Sequence, residues 1–250
     1  MKVGFIGAGN MASAMIGGII NSKLLSPSNI IASAKTDKTL DNIKEKYKIN
    51  IKKEDFIMGT RGCYGFYKDG VTKATYNHFD SYIEGLGKDI LDFIGNTSIP
   101  KMNSIFNKIE LVREDSIPTI EQIENCQDFT DLSVSSQNIT DFYCLLRKAQ
   151  GDLNAYKTDL RYMIDNKEFI GDSCFCEYAY IINLDKNVLE FYKGFNKVPQ
   201  NNRYSKFANS QENGGYCECK LVAEYKLVEI WEGKITVENL EKDSGETEEG

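Results

Sequence analysis

A short, mostly apolar strand from Lys2 to Ile6 runs directly into Gly7-Ala8-Gly9-Asn10-Met11-Ala12, and a helix-forming stretch follows from about Met11 to Asn21. Few backbone paths satisfy this G-x-G-x-x-A spacing between a strand and a helix. The first glycine permits a tight turn and the second lets another group come close to the backbone. The small third residue lets the helix pack on the strand. Ser26-Pro27 then forms a loop, Asn29 to Ser33 reads as a second strand, and Lys38 to Tyr47 reads as a charged amphipathic helix. Residues 1–57 are therefore expected to form a truncated α/β segment of Rossmann type, in the order β-α-β-α.

The amides at the start of the first helix, together with its dipole, suit a pyrophosphate. The end of the second strand selects the cofactor. An acidic residue there would hold the ribose hydroxyls of NAD, but this chain has Ser33-Ala34-Lys35-Thr36, whose hydroxyls and cation suit a 2′-phosphate. NADP is the cofactor expected.

The stretch MKVGFIGAGNMASAMIGGIINSKLLSPSNIIASAKTDKTLDNIKEKYKINI closely resembles the N-terminus of pyrroline-5-carboxylate reductase, the NADP-linked enzyme that completes proline synthesis. That resemblance implies that Gly7, Gly9, Asn10 and Met11 line the pyrophosphate turn. It also implies a 2′-phosphate pocket made by Ser33, Lys35 and Thr36. The likeness ends near Ile51. The A-V-K-P-like turn, the M-P-N-like stretch beside the nicotinamide and the long helical dimerisation domain of that family do not follow. Half a mononucleotide fold cannot orient a hydride donor, so reductase activity is not expected.

Composition narrows the remaining classes. The net charge of −7 leaves no basic stripe for a general nucleic-acid surface. The apolar run from Val3 to Ile20 is interrupted by Asn10 and Ser13, is glycine-rich and lacks a convincing cleavage site. It reads as buried soluble structure, neither signal peptide nor membrane span. Seven cysteines with no export signal suggest reduced thiols in a cytoplasm.

The pattern changes at Met58. Lys53-Glu54-Asp55-Phe56-Ile57 can be encoded by a ribosome-binding sequence and its AT-rich spacer, so Met58 is expected to be an original start codon, joined here to an unrelated N-terminus. Beyond it, Cys63–Lys68 and Val71–Asn77 flank Asp69-Gly70, a strong hairpin signal. The polar-aromatic run 76–82 follows. Helical spacing covers 88–96, 100–108, 118–127 and 141–162. A second hairpin is expected over Tyr178–Leu184 and Val188–Tyr192, and a further strand over Lys220–Val228. Residues 58–235 thus read as an α+β domain on an antiparallel sheet, with 236–250 as an acidic disordered tail. MGTRG-x-YGF and YNHFDSY-x-x-GLG resemble an uncharacterised family of small microbial and viral proteins, a likeness spanning 58 to about 230 that implies no known reaction.

His78 is the only histidine in the chain. On a strand it would share a face with Asp80, whose carboxylate could orient the imidazole as a general base. Thr60 or Cys63 on the neighbouring strand would be the nucleophile. The competing and favoured reading is a turn closed by hydrogen bonds. Cys174-x-Cys176 and Cys217-x-Cys219 are candidates for a four-thiolate zinc site, although their spacing is tighter than a C-x-x-C knuckle and favours small buried thiols. A noncatalytic binding or regulatory module is the leading expectation, ahead of an NADP-dependent reductase and of a hydrolase or transferase built on His78. No cofactor is required by residues 58–235, no nucleic acid or membrane is expected as a partner, and any protein partner is open.

Overall fold

The computed structural model describes residues 2–6, 10–34, 37–53, 60–133 and 141–245, and the chain divides into two compact units, Met1–Met58 and Gly59–Gly250. Met58 itself lies outside the described residues.

In the first unit, β1 (Val3–Ile6), α1 (Asn10–Asn21), β2 (Ile30–Ala34), α2 (Asp37–Tyr47) and β3 (Asn50–Lys53) alternate, and the three strands form a parallel sheet in the order β1-β2-β3. Two strands were expected; the third comes from the short polar-apolar stretch after Tyr47, which runs parallel to β2 with Ile51 opposite Ala32. Burial explains the alternation. Ile16 of α1, Ile30 and Ala32 of β2, Ile43 of α2 and Ile49 form one small core. Ser13 and Tyr47 share a hydrogen bond of 3.2 Å that fastens α1 to α2. A core this small buries little apolar area.

The second unit is organised by two hairpins. Strand β4 (Gly62–Lys68) pairs antiparallel with β5 (Val71–Asn77), and β8 (Tyr178–Asn183) pairs antiparallel with β9 (Val188–Lys193). In the first turn Asp69 and Gly70 both have positive φ, +50° and +78°, as a two-residue hairpin turn requires. Strand β10 (Lys220–Lys226) adds to β9, giving the order β10-β9-β8-β4-β5. The sheet is not antiparallel throughout, because β4 and β8 run parallel, with Gly62 opposite Tyr178 and Tyr67 opposite Asn183. The hairpins are local, but the long connection between them returns β8 in the direction of β4.

Side-chain alternation gives the sheet two buried faces. Tyr64, Phe66, Tyr180, Ile182, Leu189 and Phe191 face the larger core. That core is completed by α3 (Lys88–Gly95), α4 (Ile99–Lys108), α5 (Ile120–Cys126), α6 (Phe142–Leu145), α7 (Leu227–Trp231) and α8 (Val237–Ser244). A parallel pair, β6 (Glu110–Val112) with β7 (Tyr162–Ile164), adds to it. Cys63, Ala74, Ala179, Ile181 and Tyr192 face the opposite side, under Ile170 and Tyr204.

Three further expectations are corrected. The stretch 141–162 is not one helix: α6 is followed by 3₁₀ turns at 147–149 and 153–157 and then by β7. The Tyr64 hydroxyl donates to the carbonyl of Ala149 at 2.8 Å and accepts from the amide of Gly151 at 2.8 Å, while Asp152 caps the next turn through the amide of Asn154 at 2.8 Å. These contacts replace helical bonds. The strand expected to reach Val228 stops at Lys226, where α7 begins and buries Leu227 and Ile230. Residues 237–244 form α8 and not a disordered tail, with Thr236 in a capping box, Gly245 closing the end and Leu240 buried in the larger core. Residues 246–250 lie outside the described residues.

The second face also contains a charge. Glu190 on β9 is fully buried and accepts from Asn183 Nδ2 at 2.7 Å and from the Tyr192 hydroxyl at 2.9 Å. It also pairs with the guanidinium of Arg203, which lies 3.8 Å from the centre of the Tyr67 ring. Replacing Arg203 by methionine would leave a buried carboxylate without its counter-charge. Urea unfolding of that variant is expected to show a loss of about 3–5 kcal/mol. A loss below about 1 kcal/mol would mean that Glu190 is solvated in the folded protein.

Candidate functional site

In the first unit, Ile6 at the end of β1 lies opposite Ser33 near the end of β2. Asn10 and Met11 open α1, so the start of that helix and the end of β2 belong to the same edge of the sheet. A helix N-terminus beside two parallel strand ends is the arrangement a pyrophosphate and an adjoining ribose phosphate need. Gly7, Gly9, Lys35 and Thr36 lie outside the described residues.

In the second unit, β5 ends at Asn77, one residue before His78. Asn77 ends it: its side-chain amide donates to the Ser81 hydroxyl at 2.9 Å and to the carbonyl of Phe79. The chain turns through Asp80 at φ +54°, and the Asp80 carbonyl accepts from the amide of Leu86 at 2.8 Å. Gly85 permits this wrap, since a Cβ there would stand 2.2 Å from the Asp80 oxygen. The Tyr180 hydroxyl donates to the carbonyl of Ser81 at 3.1 Å and ties the turn to the sheet.

This geometry separates the residues expected to form a catalytic set. His78 and Asp80 do not share a strand face, because the strand has already ended. Among the described residues the partner of His78 Nδ1 is the Tyr76 hydroxyl at 2.6 Å, and no hydrogen bond joins His78 to Asp80. Thr60 is buried and its carbonyl accepts from the amide of Ser81 at 3.0 Å. Cys63 is fully buried, its thiol 3.8 Å from the carbonyl of Asn166. Burial first, and then the neighbouring Cys219, push that thiol well above the ordinary thiol range. Among the described residues no hydrogen bond joins Thr60 or Cys63 to the imidazole.

His78 sits instead among aromatic rings and cations. Its ring centre is 4.3 Å from that of Phe79 and 5.8 Å from that of Tyr76, both edge-on. Partial burial, then Arg147, then Arg61 lower its proton affinity below that of a free histidine, so the ring is neutral at pH 7. Beyond Phe79 opens a cleft of about 570 Å³ between the 77–89 turn and the 147–152 turn. Asn77, Asp80, Glu84, Asp89, Arg147 and Asp152 contribute to its walls. Burial, Asp92 and Asp152 hold the Asp89 carboxyl above the usual range. Arg61, Arg147 and Asp89 were not legible as site residues, since no local motif connects them. The one available signal was the position of Arg61 just before the first strand of a hairpin.

The four cysteines considered for zinc separate as well. Neither C-x-C pair lies on a strand; each stands in a loop before β8 or β10. Cys176 and Cys219 go into the smaller core, where the Cys219 thiol donates to the Cys176 carbonyl at 3.3 Å. Cys174 remains partly exposed and Cys217 is buried. Among the described residues no group of three or more His, Cys, Asp or Glu side chains is arranged to hold a metal. Burial, with the adjacent thiols, raises Cys176 well above the ordinary thiol range.

Residues 2–58 match the family of coenzyme F420-dependent NADP oxidoreductases. The chain is 54% identical over 46 residues to pyrroline-5-carboxylate reductase 3 of Danio rerio, covering 18% of this chain and 16% of that one. It is 45% identical over 49 residues to pyrroline-5-carboxylate reductase 2 of Bacillus subtilis (strain 168), covering 19% and 18%. The first unit is thus similar to a nicotinamide-dinucleotide oxidoreductase domain, and more particularly to the start of these reductases. The chain spans about a sixth of the length of these curated relatives. No solved structure matches.

Thiol burial gives a direct check. Iodoacetamide at pH 8 is expected to modify Cys174 first in the folded protein and to reach Cys63, Cys176 and Cys219 only after denaturation. Mass spectrometry locates the adducts, and native labelling of Cys63 would contradict its placement in the core.

Proposed function

We propose that the first unit holds the adenosine and pyrophosphate end of NADP, and that the chain acts as a noncatalytic binding or regulatory module. The observation that carries this reading is the pairing of Ile6 with Ser33 beside the start of α1. It sets the ends of β1 and β2 side by side, and in the sequence these strands lead into the glycine stretch and into Lys35-Thr36. The likeness of residues 2–58 to an NADP oxidoreductase family supports the same cofactor. NADP bound in a complete reductase would supply a hydride to an imine. Here three strands and two helices amount to the adenosine half of such a cradle, and hydride transfer needs the other half to hold the nicotinamide against its acceptor. We also infer that the two units have separate origins joined near Met58, consistent with the change of pattern there.

The alternative is an NADP-dependent reductase acting on pyrroline-5-carboxylate, favoured by the family match. Calorimetric titration separates the two readings. Adenosine 2′,5′-bisphosphate is expected to bind the full chain with a Kd within about threefold of that for NADPH, because the nicotinamide half adds little. NADPH is not expected to be consumed with pyrroline-5-carboxylate. Turnover by folded protein would establish the reductase, whereas loss of binding to both nucleotides would remove the cofactor reading.

A further inference from the structure

The chain has five arginines. Arg113 pairs with Asp115, Arg161 with Glu121 and Arg203 with Glu190. Among the described residues the other two, Arg61 and Arg147, form no ion pair, although the chain as a whole carries a net charge of −7. Both act on the same group. Arg61 precedes Gly62, which pairs with Asn77, so Arg61 stands opposite His78 where the hairpin ladder would continue. Arg147 comes near His78 through Phe79: its guanidinium is 5.4 Å from the Phe79 ring centre and 5.4 Å from that of Tyr143, and the Phe79 ring centre is 4.3 Å from that of His78. Arg61 lies 5.7 Å from the ring centre of Phe175.

Contacts with rings restrict a guanidinium without neutralising it. Among the described residues no carboxylate forms an ion pair with either guanidinium, although Asp80, Asp131 and Asp152 share the cleft wall with Arg147. Arg147 donates to the Gln150 side-chain carbonyl, and the Glu177 carboxylate takes the backbone amide of Arg61 and not its guanidinium. Asp131 is drawn towards Ser133, with which it makes two hydrogen bonds. When the Tyr76 hydroxyl donates to Nδ1 of His78, the neutral imidazole carries its proton on Nε2 and offers a third donor. Phe79 and Phe175 are 38% and 48% exposed, so flat apolar surface stands beside the uncompensated charge. Guanidinium forks suit phosphate oxygens, and exposed rings suit a stacked base.

We propose that Arg61, His78 and Arg147, flanked by Phe79 and Phe175, form a nucleotide-binding site in the second unit, taking the phosphate on the three nitrogen groups and the base on an aromatic face. This site is separate from the NADP reading of the first unit. It requires no reaction.

Because His78 is the only histidine, its imidazole resonances report on this site alone. Full-length protein labelled with nitrogen-15 at histidine would be titrated with adenosine 5′-monophosphate, inorganic phosphate and adenosine. The monophosphate is expected to move the imidazole signals saturably, inorganic phosphate only at much higher concentration, and adenosine not at all. Arg61→Ala and Arg147→Ala are each expected to weaken the monophosphate about tenfold. Their thermal melts should fall by no more than about 2–4 °C, since among the described residues each side chain loses ring contacts, and Arg147 one hydrogen bond, but no ion pair. Arg147→Lys, which keeps the charge without the fork, should fall between. An unmoved histidine signal overturns the site. So does an affinity that both alanine variants leave intact, while equal affinity for inorganic phosphate and the monophosphate overturns the nucleotide assignment. NADPH binding in the first unit is followed separately by calorimetric titration of the Arg147→Ala variant, so failure of one site does not imply failure of the other.

Discussion

Everything in the second unit depends on the parallel contact between β4 and β8. Each strand is already paired in its own hairpin, and either hairpin alone would leave a row of backbone amides and carbonyls unpaired along its inner edge. Joining them satisfies both rows and places four strand neighbours around the centre of one sheet. It also buries both faces of β4 and β8, which is why Tyr64 and Tyr180 enter the larger core while Cys63 and Ala179 enter the smaller one. Loop closure over the long connection opposes this contact, and the apolar burial on two faces offsets it.

Polar side chains then decide the shape of the connection. The buried hydroxyls of Tyr64 and Tyr180 project from the two central strands and bond to backbone in the 149–151 and 77–87 turns. The two walls of the cleft are therefore anchored to neighbouring strands of one sheet. The same turns bring Arg147 from a distant part of the chain to Phe79 and His78. What had the residue types of a hydrolytic set becomes a histidine between cations and rings, because Asn77 ends the strand early and Cys63 points into the core.

Local pattern was sufficient where the determining contacts are local. Asp69-Gly70 marked the first hairpin, and helical spacing over 88–96, 100–108 and 118–127 marked α3, α4 and α5, the last two of which the structure shows capped by Ser98 and Thr119. The strand-turn-helix of the first unit was readable for the same reason. Pattern failed where a distant partner supplied the missing bonds. Residues 141–162 carry helical periodicity, yet a tyrosine on β4 takes their backbone groups; the acidic stretch 237–244 is docked by Leu240 in the core, by Val237 beside it and by the Tyr225 hydroxyl, which donates to Asp243 at 2.7 Å. The cysteine pairs share a spacing, yet Cys176, Cys217 and Cys219 are buried while Cys174 stays partly exposed, since neither pair lies on a strand.

The amino-acid sequence by itself determined the strand–helix alternation of the first unit, the basic and hydroxyl character of Ser33-Ala34-Lys35-Thr36, both hairpins and the change of pattern at Met58. These rest on neighbours within a few residues, whose steric and hydrogen-bonding preferences are fixed locally. Only the tertiary structure decided that the sheet is mixed, that both its faces are buried, and that Arg61 and Arg147, near His78, form no ion pair among the described residues. Those outcomes depend on which distant surfaces meet, and burial and charge compensation are properties of the assembled fold.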